Sequence, residues 1–429
     1  MDEFNKLVVA LVMKTDASSS MILDKIDDYI WFKLSVNRED NSTTSTESSL
    51  KQLQKKILMA GPNYFLGTSG QHQQSAGSSS SRKSLLFFKL LLLTLQFNAA
   101  ITYLFKVADG YQLEAVHIAI GLYAYGLLTC SKDLEAPPFE ENSINFYSLI
   151  KQYVATFVHT DLRDAVSYIC LIKESEMKLK LLLYIILESK DITTLLGQVY
   201  PKKKGCLEEL LSTEDFVKLL RSTGKEFENT GSIDIAIQIY FMEEDKASDD
   251  YSIENSPLLK ILNIVNDQLS QVSVRRDNMG DILRLAALVE KRMTTFQEKL
   301  KDDGPGSQAL SLFSQLSKIS KFYDLFNSGN YEDALRWMNS LNLGLLPFDI
   351  QKVNSCLQEF KRKDKIIQMK YSELLWATML CLYNMPKESK NLMYQHAPSV
   401  LVSFAGLIQS YITPEDYQRL VRIEQLTNK

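Results

Sequence analysis

The stretch ILRLAALVEKRMTTFQEKL, residues 282–300, decides the fold class. Within it Ile282, Leu285, Val289, Met293, Phe296 and Leu300 step by three or four. That spacing lines one face of a helix. Leu312, Leu316, Ile319, Tyr323 and Phe326 repeat the pattern. Nowhere does the chain sustain the period-two alternation of β-branched and aromatic residues that a half-buried strand needs. An all-α chain of about twenty helices of ordinary length is expected.

The punctuation agrees. Ser256-Pro257 and Thr413-Pro414 place a capping hydroxyl before a proline at the first helical position. A proline there loses nothing, because its missing N–H would have no partner inside the helix. Gly329-Asn330 and Thr230-Gly231 fall between helical patterns and read as tight helix–helix turns. The ten prolines fall between periodic segments.

Two polar stretches break the pattern, 37–49 and 67–83. Neither holds enough apolar surface to offset the entropy of ordering it, so disordered loops within one helical domain, 1–429, are expected. The acidic stretch from Glu243 to Ser256 and the break from Lys301 to Ser307 are weaker interruptions.

Composition narrows the function. The 429 residues are 45% apolar, enough for a large core. A formal net charge of −4 gives no electrostatic case for direct contact with nucleic acid. The most lipid-like run, LLFFKLLLLTLQF at Leu85–Phe97, is interrupted by Lys89 and is short of the roughly 20 apolar residues a span needs. It reads as a core helix, and no transmembrane segment or signal peptide is expected. The five cysteines, Cys130, Cys170, Cys206, Cys356 and Cys381, form no CxxC pair and no disulfide framework. They read as reduced and mostly buried.

Four segments share an internal pattern of the form apolar-x-x-Ala-apolar-x-apolar-apolar. They are FNAAITYL (Phe97–Leu104), LRDAVSYI (Leu162–Ile169), IDIAIQIY (Ile233–Tyr240) and YEDALRWM (Tyr331–Met338). A small residue, here Ala100, Ala165, Ala236 or Ala334, lets a neighbouring helix approach closely. The apolar residues three before and three after share its face. Intervals of 65, 71 and 98 residues suit an irregular α-solenoid rather than a strict array. Alanine is common in amphipathic helices, so chance is the competing explanation.

No chemistry is signalled. His72 lies in the 67–83 stretch, and His117, inside an apolar run, reads as a satisfied core histidine. His159 and His396 pair with no cysteine at zinc spacing. Phosphate-loop, dinucleotide and nucleophile-elbow motifs are missing. The acidic pairs Glu208-Glu209 and Asp249-Asp250 read as solvated. Lys202-Lys203-Lys204 reads as a solvated turn, with contact to an anionic partner as the sharper alternative. No catalytic, cofactor-binding or metal-binding residue is assigned, and no cofactor is expected. The partner-contacting residues stay unnamed, because exposed and core apolar residues look alike at helical spacing. Stacked helices offer grooves and ridges for other proteins, so a non-enzymatic interaction protein is expected.

Four further segments carry a resemblance. DDYIWFKL (Asp27–Leu34), LLLTLQFNAAITYLF (Leu91–Phe105), EAVHIAIGLYAYGLL (Glu114–Leu128) and VSFAGLI (Val402–Ile408, followed by Arg419-Leu420-Val421) occur in that order. Together they resemble the nucleoporin-interacting-component family, the inner-ring linker nucleoporins. The resemblance implies a folded-back α-solenoid related to vesicle-coat building blocks, acting as a structural component of the nuclear pore complex at the nuclear envelope. It implies support of protein and mRNA transport by holding the ring together. The implied partners are large inner-ring scaffold nucleoporins and a short segment of a membrane-associated nucleoporin. The family's N-terminal linear motifs and coiled-coil helix have no counterpart here. The chain is therefore expected to correspond to the C-terminal part of the helical domain, without recruitment of the channel subcomplex. An exposed apolar face at its first helix and reduced solubility on its own are expected. A helical-repeat subunit of a vesicle coat or proteasome lid is the alternative. A lid subunit would end in a small winged-helix module, whereas 349–429 keeps its helical pattern.

Overall fold

The computed structural model describes residues 3–14, 25–36, 49–66, 79–108, 110–131, 133, 135–140, 143–199, 201–246, 256–274, 279–300, 304–340, 346–385 and 392–427. The expected loops 37–49 and 67–83 lie almost wholly outside the described residues. Where the second is described, it is helical from Ser79. The chain divides into two compact units, Met1–Leu196 with Gly205–Asp215, and Gly197–Lys204 with Phe216–Lys429. In both, most helices stack on near neighbours in the sequence.

The first unit runs through helices Glu3–Met13, Ile26–Val36, Ser49–Leu66, Ser79–Leu93, Phe97–Lys106, Gln112–Ala124, Phe146–Val154, Leu162–Cys170 and Ser175–Ser189. Leu7 and Ala10 of the first helix pack on Phe32 and Val36 of the second. The other side of the second helix, at Ile30, joins Leu53, Leu90 and Ala100. Phe4, Val8, Val12 and Met13 leave an exposed apolar face on the first helix. Pro62 departs from the expected pattern, because it sits inside Ser49–Leu66 at a kink where Gly61 has φ +66°.

The second unit holds the longest helices, Gly304–Asn327 and Lys365–Asn384. The former packs on Pro257–Ser270, and the latter on Tyr331–Ser340, Ala397–Leu407 and Pro414–Thr427. Asn266, nearly inaccessible, donates its amide to the Ala309 carbonyl at 3.0 Å and pins two of these helices together. The only ladder among the described residues is a two-residue antiparallel pairing of Gly197-Gln198 with Lys203-Lys204.

Stretch 282–300 is helical but not one helix. It divides into Met279–Lys291 and Met293–Leu300. At the junction the Arg292 N–H donates to the Val289 carbonyl, three residues back. The Arg292 guanidinium bonds Asp245 at 3.1 Å and lies 4.6 Å from the centre of the Phe241 ring. Of the expected break from Lys301 to Ser307, residues 301–303 lie outside the described residues and Gly304 to Ser307 are helical. Pro305 is tolerated in that first turn.

All four pattern alanines are fully buried, each in its own helix. Each donates its N–H to the residue four back, Gln96, Asp161, Ser232 or Asn330, so all four sit at the same depth from their helix start. Their buried companions are the residues one and four further on, Ile101 and Leu104, Val166 and Ile169, Ile237 and Tyr240, Leu335 and Met338. The residue three before is only half-buried in every case, a correction to the expected geometry. It is the first residue of its helix in every case.

Three of the four segments share a further feature. Five residues before the alanine stands a left-handed residue, Leu95 (φ 62°), Gly231 (φ 79°) or Gly329 (φ 76°). The N–H of the next residue then reaches five back, from Gln96 to Leu91, Ser232 to Phe227 and Asn330 to Leu325. This closes the preceding helix and starts the next after one residue. The two expected turns are among these. The caps divide, because Thr413 Oγ1 accepts from Asp416 N at 3.2 Å whereas Ser256 makes no side-chain cap bond.

Candidate interaction surfaces

Three of the four ordered segments supply contacts that join helices. Asp27 reaches Lys89 at 2.9 Å, so the charge that interrupts the lipid-like run is answered by the first segment. Among the described residues no helix is long and apolar enough to cross a membrane.

The polar residues of the second segment build the turn around Leu95. Thr94, fully buried, donates its hydroxyl to the Leu90 carbonyl at 2.8 Å and accepts from Gln96 Nε2 at 3.0 Å. Gln54 donates to the Thr94 carbonyl at 2.8 Å. Asn98 makes two bonds to the backbone of Thr129, donating to its carbonyl at 3.0 Å and accepting from its N–H at 3.1 Å. A side-chain amide here does what a neighbouring strand would do. Asn145 holds the far end of the same loop. It donates to the Ala136 carbonyl at 2.9 Å and accepts from Ser148 N at 3.0 Å to cap the next helix.

The third segment ends in a latch. Tyr123 donates its hydroxyl to Glu174 at 2.7 Å and accepts from Lys173 N at 3.0 Å. Lys173 Nζ bonds the Tyr123 and Ala124 carbonyls at 3.1 and 3.0 Å, satisfying the end of helix Gln112–Ala124. Burial first, and the Glu174 contact second, push the Tyr123 phenol well above its ordinary range.

His117 is not a core residue. It is exposed, with Nε2 3.1 Å from the Tyr168 hydroxyl, at the rim of a cluster formed with Tyr153 and Phe157. The apolar run around it misled because Gln112–Ala124 is apolar on nearly every side. Only the neighbouring helices decide which side is covered. His159 and His396 are exposed too, while His72 and Asp249-Asp250 lie outside the described residues. Glu209 is exposed and lies 3.9 Å from Arg163. Lys202, Lys203 and Lys204 stand exposed at and beside the ladder.

The acidic stretch begins inside helix Ile233–Lys246, and its first three acids each meet a cation from another element. Glu243 accepts from Arg221 Nε at 2.9 Å, Glu244 meets Lys299 at 2.6 Å and Asp245 meets Arg292. Sequence reasoning missed this clamp, since nothing local marks partners 22 to 55 residues away. Among the described residues no group of His, Cys, Asp and Glu could hold a metal ion. The five cysteines are free. Burial pushes Cys170 up to about 11 and Cys381 up to about 12, which keeps both thiols protonated and unreactive.

What is open on this surface is grooves. Three in the second unit, of about 640, 580 and 590 Å³, are bordered by Phe348 and Val400, by Ile233 and Leu285, and by Ser311 and Arg362. Helices stacked as an irregular α-solenoid, with grooves left open, define a class of helical stacking proteins. The chain belongs to the Nup93/Nic96 family, whose model matches residues 1–418.

Relatives agree. The nuclear pore complex protein Nup93 of Danio rerio is 25% identical, covering 100% of this chain and 53% of that protein. Nucleoporin NIC96 of Saccharomyces cerevisiae is 24% identical over 99% of this chain and 52% of its own length. The solved Nic96 SOL of Chaetomium thermophilum shares the fold, with a TM-score of 0.71 at 19% identity over 99% of this chain and 67% of that one. The chain thus spans about half the length of the curated relatives it matches.

Proposed function

We propose that this chain is a structural scaffold and linker element of the nuclear pore complex inner ring, at the nuclear envelope, supporting nucleocytoplasmic transport through protein–protein contacts. The family match across residues 1–418 carries this reading. The chemistry fits it, since Asp27, Asn98 and Tyr123 of the family segments hold one element to another. Its partners are other nucleoporins, including large inner-ring scaffold subunits and a short segment of a membrane-associated one. The chain works as part of one helical domain and catalyses no reaction. Localisation of a fluorescently tagged chain tests the proposal. A punctate nuclear rim is expected, and diffuse cytosol or vesicle spots would overturn it in favour of a coat-type subunit.

A further inference from the structure

We draw no further inference here: the strongest candidate, the exposed apolar face that Phe4, Val8, Val12 and Met13 form on helix Glu3–Met13, carries nothing, because nothing in the structure shows what covers it.

Discussion

A side chain at Gly224 would collide with Tyr240, since a Cβ built there lies 2.7 Å from the Tyr240 Cε1 atom. The ring has little room to retreat. It is buried, and its hydroxyl donates to Glu228 at 2.8 Å. Overpacking of a tight core costs about 1–3 kcal/mol. Alanine in place of helical glycine returns about 1 kcal/mol. Gly224→Ala should therefore be neutral to clearly destabilising, and Gly224→Val worse. Gly121, also helical but with open space above it, supplies the contrast. Gly121→Ala should stabilise by about 1 kcal/mol. Urea unfolding of the variants checks the opposite trends.

The shared left-handed position makes a second contrast. Leu95 adopts φ 62° without being glycine and is largely exposed. A non-glycine residue there carries roughly 1–2 kcal/mol of steric cost. Leu95→Gly should recover part of it, whereas Gly231→Ala and Gly329→Ala should each introduce it. Thermal midpoints moving the same way in all three would refute a common role.

Asp215 governs an acid-sensitive contact. It accepts from the Ser175 hydroxyl at 2.6 Å and lies 3.4 Å from Lys178. The Ser175 bond above all, with Lys178 assisting against burial, holds its carboxyl below the ordinary range. Folding thus favours the ionised form. The resulting stability is full above about pH 4, the unfolded value, and is lost as pH falls through the lower folded value. Ser175→Ala should remove a charge-assisted bond worth about 1.5–3 kcal/mol at neutral pH and leave a shallower acid limb. Stability measured from pH 7 down to acid decides the matter.

Glu243 runs the other way. It is fully buried, its Oε2 has no hydrogen-bond partner, and burial raises its carboxyl above the usual range despite Arg221. Its contribution is most favourable below the unfolded carboxylate pKa and declines as pH rises through the folded one. Glu243→Gln should then cost little at pH 7. Arg221→Gln strands a buried charge, and losing one partner of such a pair costs about 3–5 kcal/mol, less here because Arg221 is part-exposed. A larger loss in Glu243→Gln than in Arg221→Gln would contradict this account.

Much of this architecture is local and was therefore readable. The helical period of residues 282–300 and the turns at Gly231 and Gly329 depend on contacts within about one helical turn. Four ordered segments sufficed for the family.

Tertiary structure alone decided which side of each helix is covered. Periodicity reports that a helix has an apolar face, but not where its neighbour ends. His117 was therefore misplaced, and the residues one and four past each alanine, rather than those three away on either side, are the consistent buried companions. Asn98 with Thr129 and Glu243 with Arg221 meet only because intervening helices fold back, and no local rule records such pairs. The break at Arg292 has the same origin, since Asp245 and Phe241, which hold its side chain, lie on another helix. Sequence period is set by backbone geometry. Burial and pairing are set by which distant surface arrives to complete them.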